Sequence, residues 1–159
     1  MKKSRLQKVS MPDDITMHAL YSSESIIRQA WTLNTCELLD FEMLQNNLTL
    51  NLKAQNATSL HSIYVSKIAE HFDAWLLENR GSKALISSKA PSPASFLIVK
   101  GDIDDSEMSH ILKYLKQNAL FQHHVKIEDA AVNKSSWLAY IELCQPNMEN
   151  PKQLIQNII

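Results

Sequence analysis

"TSLHSIYVSKIAEHFDAWLLENRG", Thr58 to Gly81, is the stretch whose reading decides how this chain folds. Leu60, Ile63, Tyr64, Ile68, Phe72, Trp75 and Leu76 recur at i, i+3, i+4 intervals, the spacing of one face of an α-helix. Thr58 or Ser59 supplies a capping hydroxyl at the start and Gly81 a stop at the end. The spacing predicts a helix across the whole stretch. On it, His61 and His71 would stand about 280° apart around the axis and could share no ligand.

Upstream, "CELLDFEMLQNNLTLNLKA" alternates on both sides of Asn46–Asn47: Leu39, Phe41 and Met43, then Leu48, Leu50, Leu52 and Ala54. Period-two alternation around an Asn-rich turn predicts a hairpin. A helix over 35–45, with Asn34 as cap and Glu37 three residues on, is the competing reading. Before it, Ser22 or Ser23 caps a short helix carrying Ile26, Ile27 and Ala30 to about Leu33. Residues 1–14 read as a flexible tail.

Downstream, "KALISSK" and "SFLIVKG" flank "APSPA", whose prolines suit a loop. Asp104 with Glu107 predicts a capping box for another helix, with Met108, Ile111, Leu112, Leu115 and Ala119 as its buried stripe. "HVKIED" reads as a strand, and "SSWLAYIELC" as its hairpin partner or a Ser135-capped helix. The expected fold is therefore α+β: a ferredoxin-like βαββαβ core with an extra N-terminal helix and extra edge strands. It divides into ββα-type repeats at about 36–80 and 84–120, a closing hairpin over 123–145 and a C-terminal segment over 147–159. Residues 15–146 form one domain.

The acids and histidines between Phe96 and Ile127 invite a metal reading, but they have a simpler explanation. Asp102, Asp104, Asp105 and Glu107 sit at a helix start, where negative charge complements free amides. A calcium loop needs glycine at its sixth position and glutamate at its twelfth; counted from Asp102, those places hold Glu107 and Lys113. His110 lies on a polar helix face. His123 and His124, at the start of a strand, point to opposite faces. No third zinc ligand falls at a workable spacing. No catalytic, cofactor-binding or metal-binding residue is assigned, and no cofactor is expected.

Composition narrows the function further. The formal net charge is −1, and only Arg5, Arg28 and Arg80 are arginine, which gives no electrostatic case for nucleic acid. Two glycines in 159 residues cannot build a phosphate loop, a dinucleotide fingerprint or a nucleophile elbow. Cys36 and Cys144 are far apart, without CxxC pairing, and read as buried or half-buried free thiols of a reducing compartment. No apolar run approaches the ~20 residues of a membrane span, so a cytoplasmic location is expected, with peripheral membrane contact open to the basic head (Lys2, Lys3, Arg5, Lys8).

The segment "LIVKGDIDDSEMSHILKYLKQNALFQHHVKIEDAAVNKSSWLAYIEL" resembles the fimbrial-assembly domains of PilN and GspL type. The shared features are a strand ending at Lys100-Gly101, a helix through Leu115, Phe121 six residues on, and Val125 and Ile127 of a following hairpin. The resemblance extends over about 48–145, and ring-building modules of secretion systems share the same grammar. It implies a non-enzymatic bacterial scaffold, packed beside other proteins in a pilus or secretion machine at the cytoplasmic face of a membrane. PilN and GspL-type proteins usually carry an N-terminal membrane span, which is not seen here.

Candidate partner-contact residues are Leu154, Ile155, Ile158 and Ile159, at helical spacing in "PKQLIQNII", and Leu20 and Tyr21 in "MHALYSSES". Sheet edges offer self-association. Trp31 and Trp75 are expected in the core. Two other readings stay open: a ligand- or RNA-binding ferredoxin-like domain, and an enzyme built from scattered residues such as His110, His123, His124 or Cys144.

Overall fold

A computed structural model describes residues 15–44, 47–52, 56–86 and 91–127. The stretch from Thr58 to Gly81 is not a helix. It runs as three strands, β4 (Ala57–His61), β5 (Ile63–Ser66) and β6 (Phe72–Glu78). Two features imitated a helical stripe. Ala74, Trp75, Leu76 and Leu77 are all buried because β6 is covered on both faces, and a doubly covered strand shows no alternation. On β4 the inward residues are Ser59 and His61, while Leu60 is exposed, so the apolar pattern marked the wrong face. The β-branched and aromatic run Ile63-Tyr64-Val65 carries the strand preference. Without that helix the ββα repeat disappears.

The remaining elements are β1 (Ile15–Tyr21), α1 (Ile26–Leu33), β2 (Glu42–Met43), β3 (Leu48–Leu52), β7 (Ser95–Gly101), α2 (Asp105–Gln117) and β8 (His123–Lys126). Six strands form one sheet in the order β2-β5-β6-β7-β1-β8, and every neighbouring pair is antiparallel. β3 and β4 pair separately as a hairpin. The chain is α+β, with a largely antiparallel sheet and two helices. Within the large sheet, β1, α1, β6, β7, α2 and β8 follow in chain order, and their strands lie in the order β8-β1-β7-β6.

β1 is a strand that the sequence reading did not assign before α1. It lies between β7 and β8, with Met17 opposite Ile98 and Ala19 opposite Phe96. The expected hairpin between 39–43 and 48–54 does not form either. Asn34 caps the end of α1 and captures both backbone groups of Phe41: its Nδ2 donates to Phe41 O at 3.0 Å and its Oδ1 accepts from Phe41 N at 2.5 Å. With those groups committed, only Glu42 and Met43 remain to pair, and they pair with β5. The 35–45 helix is absent. Lys83–Ile86 contributes one isolated bridge, Arg80 to Leu85, instead of a strand.

Both helices cover one face of the sheet. Ile26, Ala30 and Leu33 of α1 and Ile111 and Leu115 of α2 pack with Leu20, Phe72, Leu76, Leu97 and Val99. The opposite face buries Met17, Ile63, Trp75, Leu77, Phe96 and Ile98, with Leu48 of the hairpin among them. α2 starts as its sequence predicts. Asp104 Oδ1 accepts from Glu107 N at 2.7 Å, and Glu107 Oε1 accepts from Asp104 N at 3.3 Å. Of the expected stripe, Ala119 lies beyond the helix end and is exposed. Asp104→Ala is expected to lower stability by about 1 kcal/mol, seen as a lower urea midpoint at unchanged slope. The hairpin partner at 135–144, the tail and the segment from 147 to 159 lie outside the described residues.

Candidate functional site

α1 is locked in one rotation about its axis. Ser25 caps it, its Oγ accepting from Arg28 N at 3.4 Å. Gln29 points inward and is buried: its Nε2 donates to Glu24 O at 2.8 Å, and its Oε1 accepts from Ser95 Oγ on β7 at 2.6 Å. With Ile26, Gln29, Ala30 and Leu33 committed to the sheet, Ile27 and Trp31 must point away. They are 47% and 69% exposed and, four residues apart, adjacent on the helix surface. Trp31 therefore belongs to the surface, against expectation, whereas Trp75 is buried. The signal was in the sequence: a stripe through 26, 30 and 33 leaves 27 and 31 on the other side. Beside them, Arg28 Nη1 meets Glu24 Oε2 at 2.8 Å.

A polar cleft of about 370 Å³ opens at the start of α1, lined by Ser23, Glu24, Ser25, Glu78, Arg80 and Ser92 among others. Ser22 Oγ holds its rim by donating to Leu120 O at 2.8 Å. Hydroxyls, two carboxylates and one guanidinium give it a mixed polarity suited to small polar molecules. The hydroxyls of Ser22 and Ser25 are engaged by backbone groups, Leu120 O and the amides of Glu24 and Arg28.

A serine and a histidine lie together beneath Gly81. His61 and Ser59 are both fully buried. His61 Nδ1 is 3.0 Å from Glu78 O; a carbonyl only accepts, so Nδ1 carries the proton and Nε2 is left as a bare acceptor. Burial pushes the His61 pKa down and keeps the ring neutral. Ser59 Oγ accepts from Lys83 N and Ala84 N at 3.1 and 3.0 Å. A Cβ on Gly81 would collide with Ser59 Oγ and His61 Nε2. The pair is sealed by backbone and serves to hold the 82–84 turn. Sequence reasoning missed it because the two residues looked like one helix turn.

The sequence-predicted contact residues fare differently. Leu20 is fully buried against α1 and α2, so it cannot serve as a free docking residue. Tyr21 is half-buried, with its hydroxyl donating to Pro91 O at 3.4 Å. Strand alternation turns the two to opposite faces. Leu154, Ile155, Ile158, Ile159 and Cys144 lie outside the described residues. Cys36 is a buried free thiol. His110 is exposed on α2. His123 and His124 take opposite faces of β8: His123 lies beside Tyr21, with ring centroids 5.9 Å apart, and His124 beside His18 at 5.8 Å. His71 Nε2 meets Glu107 Oε2 at 2.7 Å, tying the β5–β6 loop to α2. Among the described residues no group of three or more His, Cys, Asp or Glu could hold a metal ion, and no helix is long and apolar enough to cross a membrane. No protein-family model, no curated protein and no solved structure matches this chain.

Proposed function

We propose that this chain is a non-enzymatic docking module of a multiprotein assembly, and that it engages its partner through the outward face of α1. The observation that carries the reading is Trp31, 69% exposed beside Ile27 on a helix whose rotation Gln29 fixes. Solvated tryptophan is costly apolar surface, and it is the residue type most enriched among interface hot spots. A locked helix presents it with little ordering cost on binding. The chain order β1-α1-β6-β7-α2-β8 with sheet order β8-β1-β7-β6 supports a ferredoxin-like core, into which β2 to β5 are inserted. The pilus or secretion-machine setting implied by the resemblance of residues 48–145 belongs to the same reading. An RNA-binding sheet would display aromatics to stack on bases, whereas Phe96 of β7 is buried.

A photoreactive residue tests the reading in the native cell. Trp31→p-benzoylphenylalanine should give a discrete heteromeric adduct on irradiation, and Lys113→p-benzoylphenylalanine, at an exposed position on α2, should not. With that partner purified, Trp31→Ala should weaken binding about thirtyfold, the effect of a hot spot worth about 2 kcal/mol. Equal labelling at both positions, or none at 31, would remove the α1 face as the docking surface.

A further inference from the structure

The β1–β8 edge carries a feature with no role in docking through α1. Among the described residues β8 is the last strand of the sheet, paired only with β1 over four residues, His18 to Tyr21 against Lys126 to His123. No residue of β8 is fully buried, so little apolar contact anchors it. On the helix-covered face of this pair stand His18, 3% exposed, and His124, half-buried, with ring centroids 5.8 Å apart. The Nδ1 atom of each is buried without a hydrogen-bond partner among the described residues.

Their surroundings are cationic. Lys126 stands directly opposite His18 across the strand pair. His123 is next to His124 in β8, their ring centroids 6.5 Å apart. Lys116, in the last turn of α2, acts on His124. β7 meets His18 with Leu97, and Leu20, two residues on, packs with apolar side chains of α1 and α2. The acids of α2, Asp105 and Glu107, sit in its first turn, where Glu107 is engaged by His71. No described carboxylate acts on either ring. A proton added to His18 or His124 meets burial, a second imidazole and lysines, with no counter-charge among the described residues.

We propose that β8 is an acid-released latch: protonation of His18 and His124 detaches it from β1 and uncovers the backbone edge of that strand. Such an edge is a template for pairing with an added strand. Burial, then His124 and Lys126, hold the His18 pKa down at about 4, against an ordinary 6.5; burial, then His123 and Lys116, lower that of His124. The released strand therefore binds protons more readily than the docked one. Docking is at full strength above about pH 6.5 and is lost as pH falls toward 4. For His18 alone, the opening equilibrium rises about 20-fold between pH 7 and pH 5.

Amide hydrogen exchange on the full chain at pH 7 and pH 5, expressed as protection factors to remove the intrinsic pH dependence, reads this directly. Protection across β1–β8 should fall about 20-fold while β5–β6 keeps its protection. Unchanged protection at β1–β8, or an equal fall in both regions, would overturn the latch. His18→Met should shrink the pH-dependent fall to what His124 alone contributes; an undiminished fall in that variant would equally overturn the proposal. If His18→Met does not fold, Lys126→Met, at an exposed position, should shrink the fall by removing one cation opposite His18, and an undiminished fall would count against it.

Discussion

Phe96→Ala should lower the unfolding free energy by about 3–5 kcal/mol, and Leu97→Ala, the very next residue, by about 2–5 kcal/mol. β7 lies between β6 and β1, and its consecutive side chains enter different cores. Phe96 stands opposite Ala19 and Leu77 and packs with Met17, Trp75 and Ile98. Leu97 stands opposite His18 and Leu76, under the two helices. Each truncation removes apolar contacts and leaves a cavity that two sheet neighbours hold open. Urea titration of both variants measures this, with unchanged slopes as the sign that the unfolded state is unaffected. A sheet covered on one face only would make one of the two nearly neutral. A cost below about 1 kcal/mol for either residue would contradict burial on both faces.

Gly101→Ala should cost about 2–5 kcal/mol, although only a methyl group is added. Gly101 ends β7 opposite Phe72 with φ +126°, a conformation side chains rarely adopt. A Cβ there would lie 2.5 Å from His71 O and 2.8 Å from Phe72 Cα. Both are backbone atoms, so neither can swing aside. His71 O also accepts from Asp102 N at 2.8 Å, the bond that turns the chain from β7 toward α2. Strain and overpacking therefore act together. A urea midpoint within the range of an ordinary surface substitution, about ±0.5 kcal/mol, would show that the turn relaxes freely.

Both helices were legible because each is written in local chemistry. Asp104 and Glu107 spell out a capping box, and Ile111 and Leu115 recur on one face. α1 begins a few residues later than its first serines suggest, because Ser25 and not Ser22 or Ser23 takes the cap. The strands were much less legible. β6 offers no alternation, and β4 turns a serine and a histidine inward, so their pattern imitates a helix. β1 was missed because its burial comes from β7 and β8, which lie far along the chain. The exposed pair Ile27–Trp31 follows from completing the α1 stripe, but tryptophan's preference for cores argued the other way. The His18–His124 contact could not be read at all, since only strand register brings those rings together.

The sheet order, the outward face of α1 and the β1–β8 edge all rest on residues 57–78 running as three strands. Nuclear magnetic resonance of the labelled chain tests that most directly. The structure predicts strand-type Cα shifts through Ile63–Ser66 and Phe72–Glu78, with cross-strand proton contacts from Trp75 to Val65 on one side and to Ile98 on the other. An unbroken run of helical i to i+3 contacts from Leu60 to Leu76, with helix-type Cα shifts and no contact between Trp75 and Ile98, would contradict it.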